Sequence, residues 1–326
     1  MTDLQTYGFD PAFWPRQEMQ NLGRVTAVYP GRYQLVCARG PLSGCLKTAA
    51  YAMDRQALPT VGDFVRLEAL DGGMARILET LPRKTFFSRL DPSSAGHAAQ
   101  AVAANFDYVF LLQSLNQDFN LRRLERYITM AWQSGAVPVV ILTKRDLNDH
   151  WVEQVQAAQT VSAGAKVHAV SARTKEGLAA LSAYLRPRKT VVFLGSSGVG
   201  KSSLLNAFAG ETVMEVGEIR EDDGRGRHTT TNRQLQRLNS GAMVIDTPGM
   251  RELGLWDALA GLEQSFADVE QYFSACRFRD CRHQTEPGCA VRAAIADGTL
   301  PTERWQSYQK LLREAGRAGK KPRKER

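Results

Sequence analysis

The sequence predicts a multi-domain chain: an all-β barrel of the oligonucleotide-binding type, then an α/β domain on a parallel sheet, then a mostly helical metal-binding module. Three observations predict it. Short alternating segments punctuated by Gly and Pro fill residues 21–88. Strand and helix textures alternate from about residue 105 onward, the mark of a parallel sheet covered by helices. Three cysteines and one histidine crowd into residues 276–289, inside a stretch of otherwise helical texture.

Composition sets the bounds. The 326 residues are enough for two or three domains, with 43% hydrophobic and 23% charged residues, an ordinary globular balance. The net charge of +8 and a pI near 9.3 favour an anionic partner, and nucleic acid is the commonest; a merely basic enzyme is the alternative. No apolar run is long enough to span a bilayer, and "MTDLQTYGFDPAFWPRQ" lacks a signal pattern, so a cytoplasmic location is the default expectation. The cysteine count is five, and an odd number argues against a disulfide framework. Cys37 and Cys45 read as ordinary thiols.

Residues 1–20 carry scattered aromatics without a period and are expected to form a loosely attached arm. "GRVTAVYPGRYQLVCAR", "SGCLKTAAYAM", "GDFVRLEAL" and "GGMARILETL" then supply some five strands, enough for a small barrel. Strand texture alone leaves open whether that barrel binds oligonucleotides or only packs. "LPRKTFFSRLDPSSAGHAAQ" is polar and rich in small residues, as expected of a mobile, solvated link.

"YVFLLQSL" is a continuous apolar run, the signature of a buried parallel strand. "NLRRLERYITMAWQSG" has helical spacing, with Asn120 as a cap and Gly135 closing it. The strand "VPVVILTK", a helix near 149–160, the strand "KVHAVSA", the helix "KEGLAALSAYL" and the strand "TVVFLG" follow, and later "AMVIDTPG". Residues 89–255 form this α/β unit. Residues 256–315 are expected to be helical around the Cys/His cluster, and 316–326 form a basic tail too charged to pack.

The strongest motif is "GSSGVGKSS": Gly195, Ser196, Ser197, Gly198, Val199, Gly200, Lys201, Ser202 and Ser203. Its spacing, G-x-x-x-x-G-K-[ST] between a strand and a helix, is that of a phosphate-binding loop. The glycines let backbone N–H groups approach phosphate oxygens, and the helix adds its positive end. Lys201 is expected on the β- and γ-phosphates and Ser202 on Mg²⁺. In "VIDTPGM", Asp246 ends a strand, as the second acidic residue of such a domain must, and the N–H of Gly249 is placed to sense the γ-phosphate.

"LTKRDL" selects the base. Asp146 can accept from the two donors on the guanine edge, which adenine lacks, and Lys144 can lay its stem over the ring. Thr143 stands where many GTPases have Asn and can replace only part of that hydrogen bonding. Ser171 and Ala172, ending another strand, fit a short loop that backs the guanine carbonyl. These base-reading motifs precede the phosphate loop, whereas in most GTPases they follow it. The α/β domain is therefore expected to be a circularly permuted P-loop GTPase domain.

Between the two phosphate motifs lies "EIREDDGRGRHTTTN". A threonine here should close over Mg²⁺ and the γ-phosphate, with Thr230 the first choice and Thr229 the next. Met250 stands where Ras-type enzymes have a water-orienting Gln, so His228 is the candidate to orient or activate water; an exposed loop histidine is the other reading. Cys276, Cys281, His283 and Cys289 offer three thiolates and an imidazole, a closed tetrahedral set for one structural Zn²⁺.

Together "AANFDYVFLLQSL", "TKRD", "GSSGVGKSSLLN", "GRGRHTTTN", "DTPGMRELGLW" and the C-x4-C-x-H-x5-C knot resemble the ribosome small subunit-dependent GTPase A family over nearly the whole chain. These are circularly permuted GTPases of bacterial ribosome assembly. The resemblance implies GTP and GDP as ligands, Mg²⁺, one structural Zn²⁺, and a monomer that binds the small ribosomal subunit and its 16S rRNA. It implies hydrolysis stimulated by the subunit, late in maturation and coupled to release. It also implies rRNA contact by the barrel and zinc module, a catalytic role for His228, and Thr230 in the first switch. Two rivals remain at this level: an RNA-binding zinc protein that uses GTP only structurally, and an ATPase in which "TKRD" is a chance loop.

Overall fold

The computed structural model describes residues 2–15, 17–47, 51, 57–70, 73–90, 99–210, 233–246 and 259–318. His228, Thr229, Thr230, Gly249 and Met250 lie outside the described residues.

Five strands close into a barrel: β1 (Leu22–Tyr29), β2 (Arg32–Cys37), β3 (Gly40–Leu46), β4 (Phe64–Ala69) and β5 (Met74–Thr80). The order β1-β2-β3-β5-β4 returns to β1, with β3 and β5 parallel and the other pairs antiparallel. Closure removes free edges. It demands sharp curvature, which a register shift between Val25 and Ala27 on β1 helps supply. Val25, Leu35, Val65 and Ile77 fill the interior.

The expected loose arm is instead packed against the barrel. Leu4, Phe9 and Trp14 are buried in one cluster with Leu22, Phe64 and Leu81, and Trp14 Nε1 donates to the Pro82 carbonyl at 2.8 Å. Three widely spaced apolar anchors in an irregular segment leave no periodic trace, which is why the sequence reads as unstructured. Part of the expected solvated link is also strand. β6 (Phe86–Leu90) and β7 (Ala99–Ala104) pair as an antiparallel hairpin, with Phe87 and Val102 buried. Small alanines on β7 mimic a linker composition but let the hairpin pack closely.

The second domain follows the predicted alternation. β8 (Tyr108–Ser114), α1 (Leu121–Gln133), β9 (Val137–Thr143), α2 (Trp151–Thr160), β10 (Lys166–Ala169), β11 (Thr190–Gly195) and α3 (Lys201–Ala209) come first; β12 (Gln234–Arg237) and β13 (Met243–Asp246) complete the sheet. Its order is β10-β9-β8-β11-β13-β12, parallel except for β12. Along β8, β9 and β11 alternate side chains enter two cores. Leu111, Val140 and Val192 face α1, whereas Phe110, Ile141 and Phe193 face α3. Burial on both faces explains the unbroken apolar runs. Asn120 caps α1 by accepting from Arg123 N–H. The predicted helix "KEGLAALSAYL" is a shorter 3-10 segment, Leu178–Ala183.

β12 also touches β1, with Ala27 opposite Gln234, so the sheet continues into the barrel. Arg24, fully buried at this junction, donates to the carbonyls of Gly62 (3.2 Å), Asn105 (2.8 Å) and Tyr7. Desolvation lowers its pKa to about 10, with Asp107 and Asp63 opposing the fall.

The C-terminal module contains α4 (Leu259–Ser265), α5 (Ala267–Glu270), α6 (Ala290–Ala296) and α7 (Thr302–Ala318). It leans on α1. Arg304 of α7 donates to Glu125 at 2.7 Å and to Asp268 at 2.8 and 2.9 Å, while lying over the Phe266 ring. Among the described residues no helix is long and apolar enough to cross a membrane.

Candidate nucleotide and metal sites

The parallel strands β8, β9, β10, β11 and β13 all end at one edge of the sheet, where open α/β sheets bind ligands. Gly195 ends β11 beside Leu112 of β8; a Cβ there would lie 2.8 Å from the Leu112 carbonyl, so only glycine fits. Gly198 and Gly200 take φ of +70° and +98°, turning the loop into α3. Ser197 is exposed and Val199 buried, while Ser202 and Ser203 lie half-buried in the first turn of α3. Lys201 Nζ donates to the Gly195 and Ser196 carbonyls, each at 3.0 Å, which holds the ammonium folded over the loop.

Asp246 ends β13, next to β11 through the Val192↔Ile245 register. The Ser202 hydroxyl and the Asp246 carboxylate are hard oxygen donors, the chemistry that suits Mg²⁺.

The loops expected to read the base lie at the ends of β9 and β10. Thr143 is buried, and its hydroxyl donates to the Val199 carbonyl at 2.6 Å, with the Gln113 carbonyl at 3.3 Å. The sequence placed Thr143 in the base motif; the fold spends its hydroxyl on the phosphate loop. Lys144 adopts a left-handed φ of +61° and leads into the turn Arg145–Leu147, which presents Asp146 to solvent. Arg145 N–H donates to the Val170 carbonyl at 3.1 Å, tying this turn to the next loop. There Ser171 is fully buried; its Oγ accepts from Thr174 N–H, and Ala172 beside it is half-buried.

Some residues of this edge carry no motif. Asn148 donates to the Leu115 carbonyl at 3.1 Å and Asp118 accepts from Ser196 at 2.8 Å. The available signal was "NQDFN", a polar turn directly after the apolar strand "YVFLLQSL".

In the C-terminal module the four predicted ligands converge. The donor atoms of Cys276, Cys281, His283 and Cys289 all lie within 4.8 Å of one another. Nδ1 of His283 is 3.5 Å from both Cys276 Sγ and Cys289 Sγ. A tetrahedral ion bonded at ~2.3 Å to sulfur and ~2.0 Å to nitrogen separates such donors by about 3.5 Å, so the set fits one zinc. Desolvation lowers the His283 pKa, favouring the neutral imidazole a metal requires. Burial raises the Cys276 thiol, but the Ala290 and Val291 N–H groups and the neighbouring thiols outweigh it and hold it below the usual range. The Cys281 thiol is pushed up to about 11, chiefly by desolvation. Phe273 stacks on the His283 ring at 4.5 Å, and Glu286 accepts from the N–H groups of Arg282, Gln284 and Thr285, fixing the turn that carries His283.

Residues 80–256 match the model of the RsgA GTPase family. The small ribosomal subunit biogenesis GTPase RsgA 1 of Listeria innocua is 46% identical over 315 residues, covering 95% of this chain and 89% of the relative. The RsgA of Streptomyces coelicolor is 44% identical over 322 residues, covering 95% and 86%. Among solved structures, YjeQ from Thermotoga maritima superposes with a TM-score of 0.67 at 25% identity, covering 92% of this chain and 99% of that one. YloQ, described as a circularly permuted GTPase, has the same fold, with a TM-score of 0.63 at 22% identity over 94% and 99%. A glycine-rich loop tied to the β9 and β10 loops that precede it in the chain, beside a closed barrel and a Cys3His cluster, agrees with these matches: the chain belongs to the RsgA GTPase family and is a GTP-hydrolysing enzyme.

Proposed function

We propose that the protein acts in biogenesis of the small ribosomal subunit, binding it in the GTP form and leaving after subunit-stimulated hydrolysis. The observation that carries this reading is the junction of Thr143 with Val199, which makes base and phosphate recognition one unit in a chain whose relatives bear the name small ribosomal subunit biogenesis GTPase. Asp146 and Lys144 read guanine, backed by Ser171 and Ala172. The loop from Gly195 to Ser203 holds the phosphates, and Ser202, Thr230 and Asp246 serve Mg²⁺, which neutralises phosphate charge when bound. His228 is assigned the attacking water and Gly249 the γ-phosphate.

The domain division follows the same reading, with 21–88 as an RNA-binding barrel, 89–255 as the nucleotide domain and 256–315 as the zinc module. Zinc in the Cys3His set is structural, since four protein donors leave no position for substrate. Beside it runs a groove of about 690 Å³ lined by Arg279, Arg282, Arg313 and the exposed Phe278, a basic and aromatic surface suited to 16S rRNA.

GTP turnover with and without purified small subunits tests the reading. A rise of at least tenfold with subunits is expected. An unchanged rate refutes stimulation, and equal competition by ATP refutes guanine selection.

A further inference from the structure

The turn between β8 and α1 carries a carboxylate outside the phosphate-loop pattern. Asp118 Oδ2 accepts from Ser196 Oγ at 2.8 Å. Arg123 NH1 donates to Asp118 Oδ1 at 3.0 Å, and NH2 lies 3.0 Å from Oδ2. Burial pushes the Asp118 carboxyl up, but the bonds from Arg123 and Ser196, with Lys144 nearby, hold it below the usual range.

The turn itself is braced. Asp118 N–H donates to Asn116 Oδ1 at 3.0 Å, and Gln113 exchanges two bonds of 2.9 Å with the Asn120 backbone. β8 and β11 are parallel neighbours, with Leu112 opposite Gly195, so the turn and the phosphate loop leave the sheet side by side.

Ser196 has a second connection. Its carbonyl and that of Gly195 hold Lys201 Nζ. Rotation of the peptide between Gly195 and Ser196 would carry the Gly195 carbonyl, and with it the lysine, out of place. The bond from Ser196 Oγ to Asp118 opposes that rotation from the outside of the loop. Arg123 cancels the carboxylate's charge, so the brace does not repel phosphate.

We propose that Asp118 is a positioning residue for phosphate binding: through Ser196 it holds the 195–196 peptide, and with it Lys201, in the geometry that receives the phosphates. This rests on the nucleotide-site reading above. The loop backbone and Lys201 would touch the phosphates; Asp118 acts through Ser196 and not on the nucleotide.

The test uses the full-length protein with a fluorescent GDP, read by equilibrium titration and stopped-flow dissociation, with thermal melts as a folding check. Asp118→Ala and Ser196→Ala are each expected to weaken GDP about fivefold through faster dissociation, the effect of one lost hydrogen bond. The double variant is expected to bind no worse than either single one, because both remove the same bond. Ser196→Thr, which keeps the hydroxyl, is expected to restore affinity to within about twofold. Should Asp118→Ala fail to fold, Asp118→Asn takes its place: it keeps an oxygen to accept from Ser196 Oγ and is expected to bind GDP within about twofold of the wild type, and a loss as large as that of Ser196→Ala overturns the proposal. Unchanged affinity in Ser196→Ala, multiplicative losses in the double variant, or tighter binding by Asp118→Ala, which would mean simple charge repulsion, each overturn the proposal. Failure of the wild type to bind GDP would instead refute the nucleotide-site reading.

Discussion

The hydroxyl of Thr143 donates to the carbonyl of Val199 at 2.6 Å, across 56 residues of chain, and both residues are buried. One side chain thus joins the loop assigned to the base to the loop assigned to the phosphates. Thr143→Val would leave the Val199 carbonyl unpaired at a cost of about 1–3 kcal/mol. GDP affinity is expected to fall about tenfold while the preference for GTP over ATP stays, since Asp146 is untouched. Retained affinity with lost preference, measured by competition titration, would place Thr143 on the base instead.

Asp146 is exposed in its turn, positioned by the Arg145 bond to Val170 and by Arg145 stacking on Trp151 at 4.0 Å. Asp146→Asn replaces one of the two acceptor oxygens by an NH2 donor and keeps the other. GTP affinity is expected to fall by a factor on the order of 10² and xanthosine nucleotide to gain, as read by isothermal titration. No gain for xanthosine nucleotide would count against Asp146 as the base reader.

Arg304 and Glu125 face each other with side chains only 7% and 5% exposed, which binds the C-terminal module to α1. Arg304→Ala leaves Glu125 buried and uncompensated. A loss of about 3–5 kcal/mol is expected in denaturant unfolding. Adding Glu125→Leu should recover part of it, because the stranded charge is gone; a double variant as unstable as the single one would mean the packing over Phe266 dominates.

The Cys3His cluster and the nucleotide loops occupy different parts of the fold. Treatment with a thiol-reactive reagent is expected to release one zinc per chain, read with a colorimetric chelator. Cys281→Ser should retain little metal and lower the stability of the C-terminal module while GDP binding persists. Wild-type protein purified without any zinc would remove the metal from the account.

Much was legible in advance because the relevant signals are local. Phosphate binding needs glycines, a lysine and a hydroxyl within one turn, and "GSSGVGKSS" states all of them. The four residues that could hold zinc fall within fourteen residues, "CRFRDCRHQTEPGC". The unbroken apolar runs announced strands covered on both faces, as Phe110 and Leu111 entering opposite cores bear out. The arm and the link leave no such local signal, for the opposite reason. Phe9 and Trp14 find Phe64 only when the barrel closes, and the alanines of β7 look like a linker until β6 pairs with them.

By itself, then, the sequence determined the three-part organisation, the order of the nucleotide motifs and the metal-ligand set, because each is written in short contiguous runs whose chemistry depends on spacing along the chain. The tertiary structure alone decided which distant groups meet. Thr143 to Val199 spans 56 residues, Ser196 to Asp118 spans 78, and Arg304 to Glu125 spans 179. Hydrogen bonds act over about 3 Å in space and carry no periodicity in sequence, so only the folded sheet edge and the docked α7 reveal them.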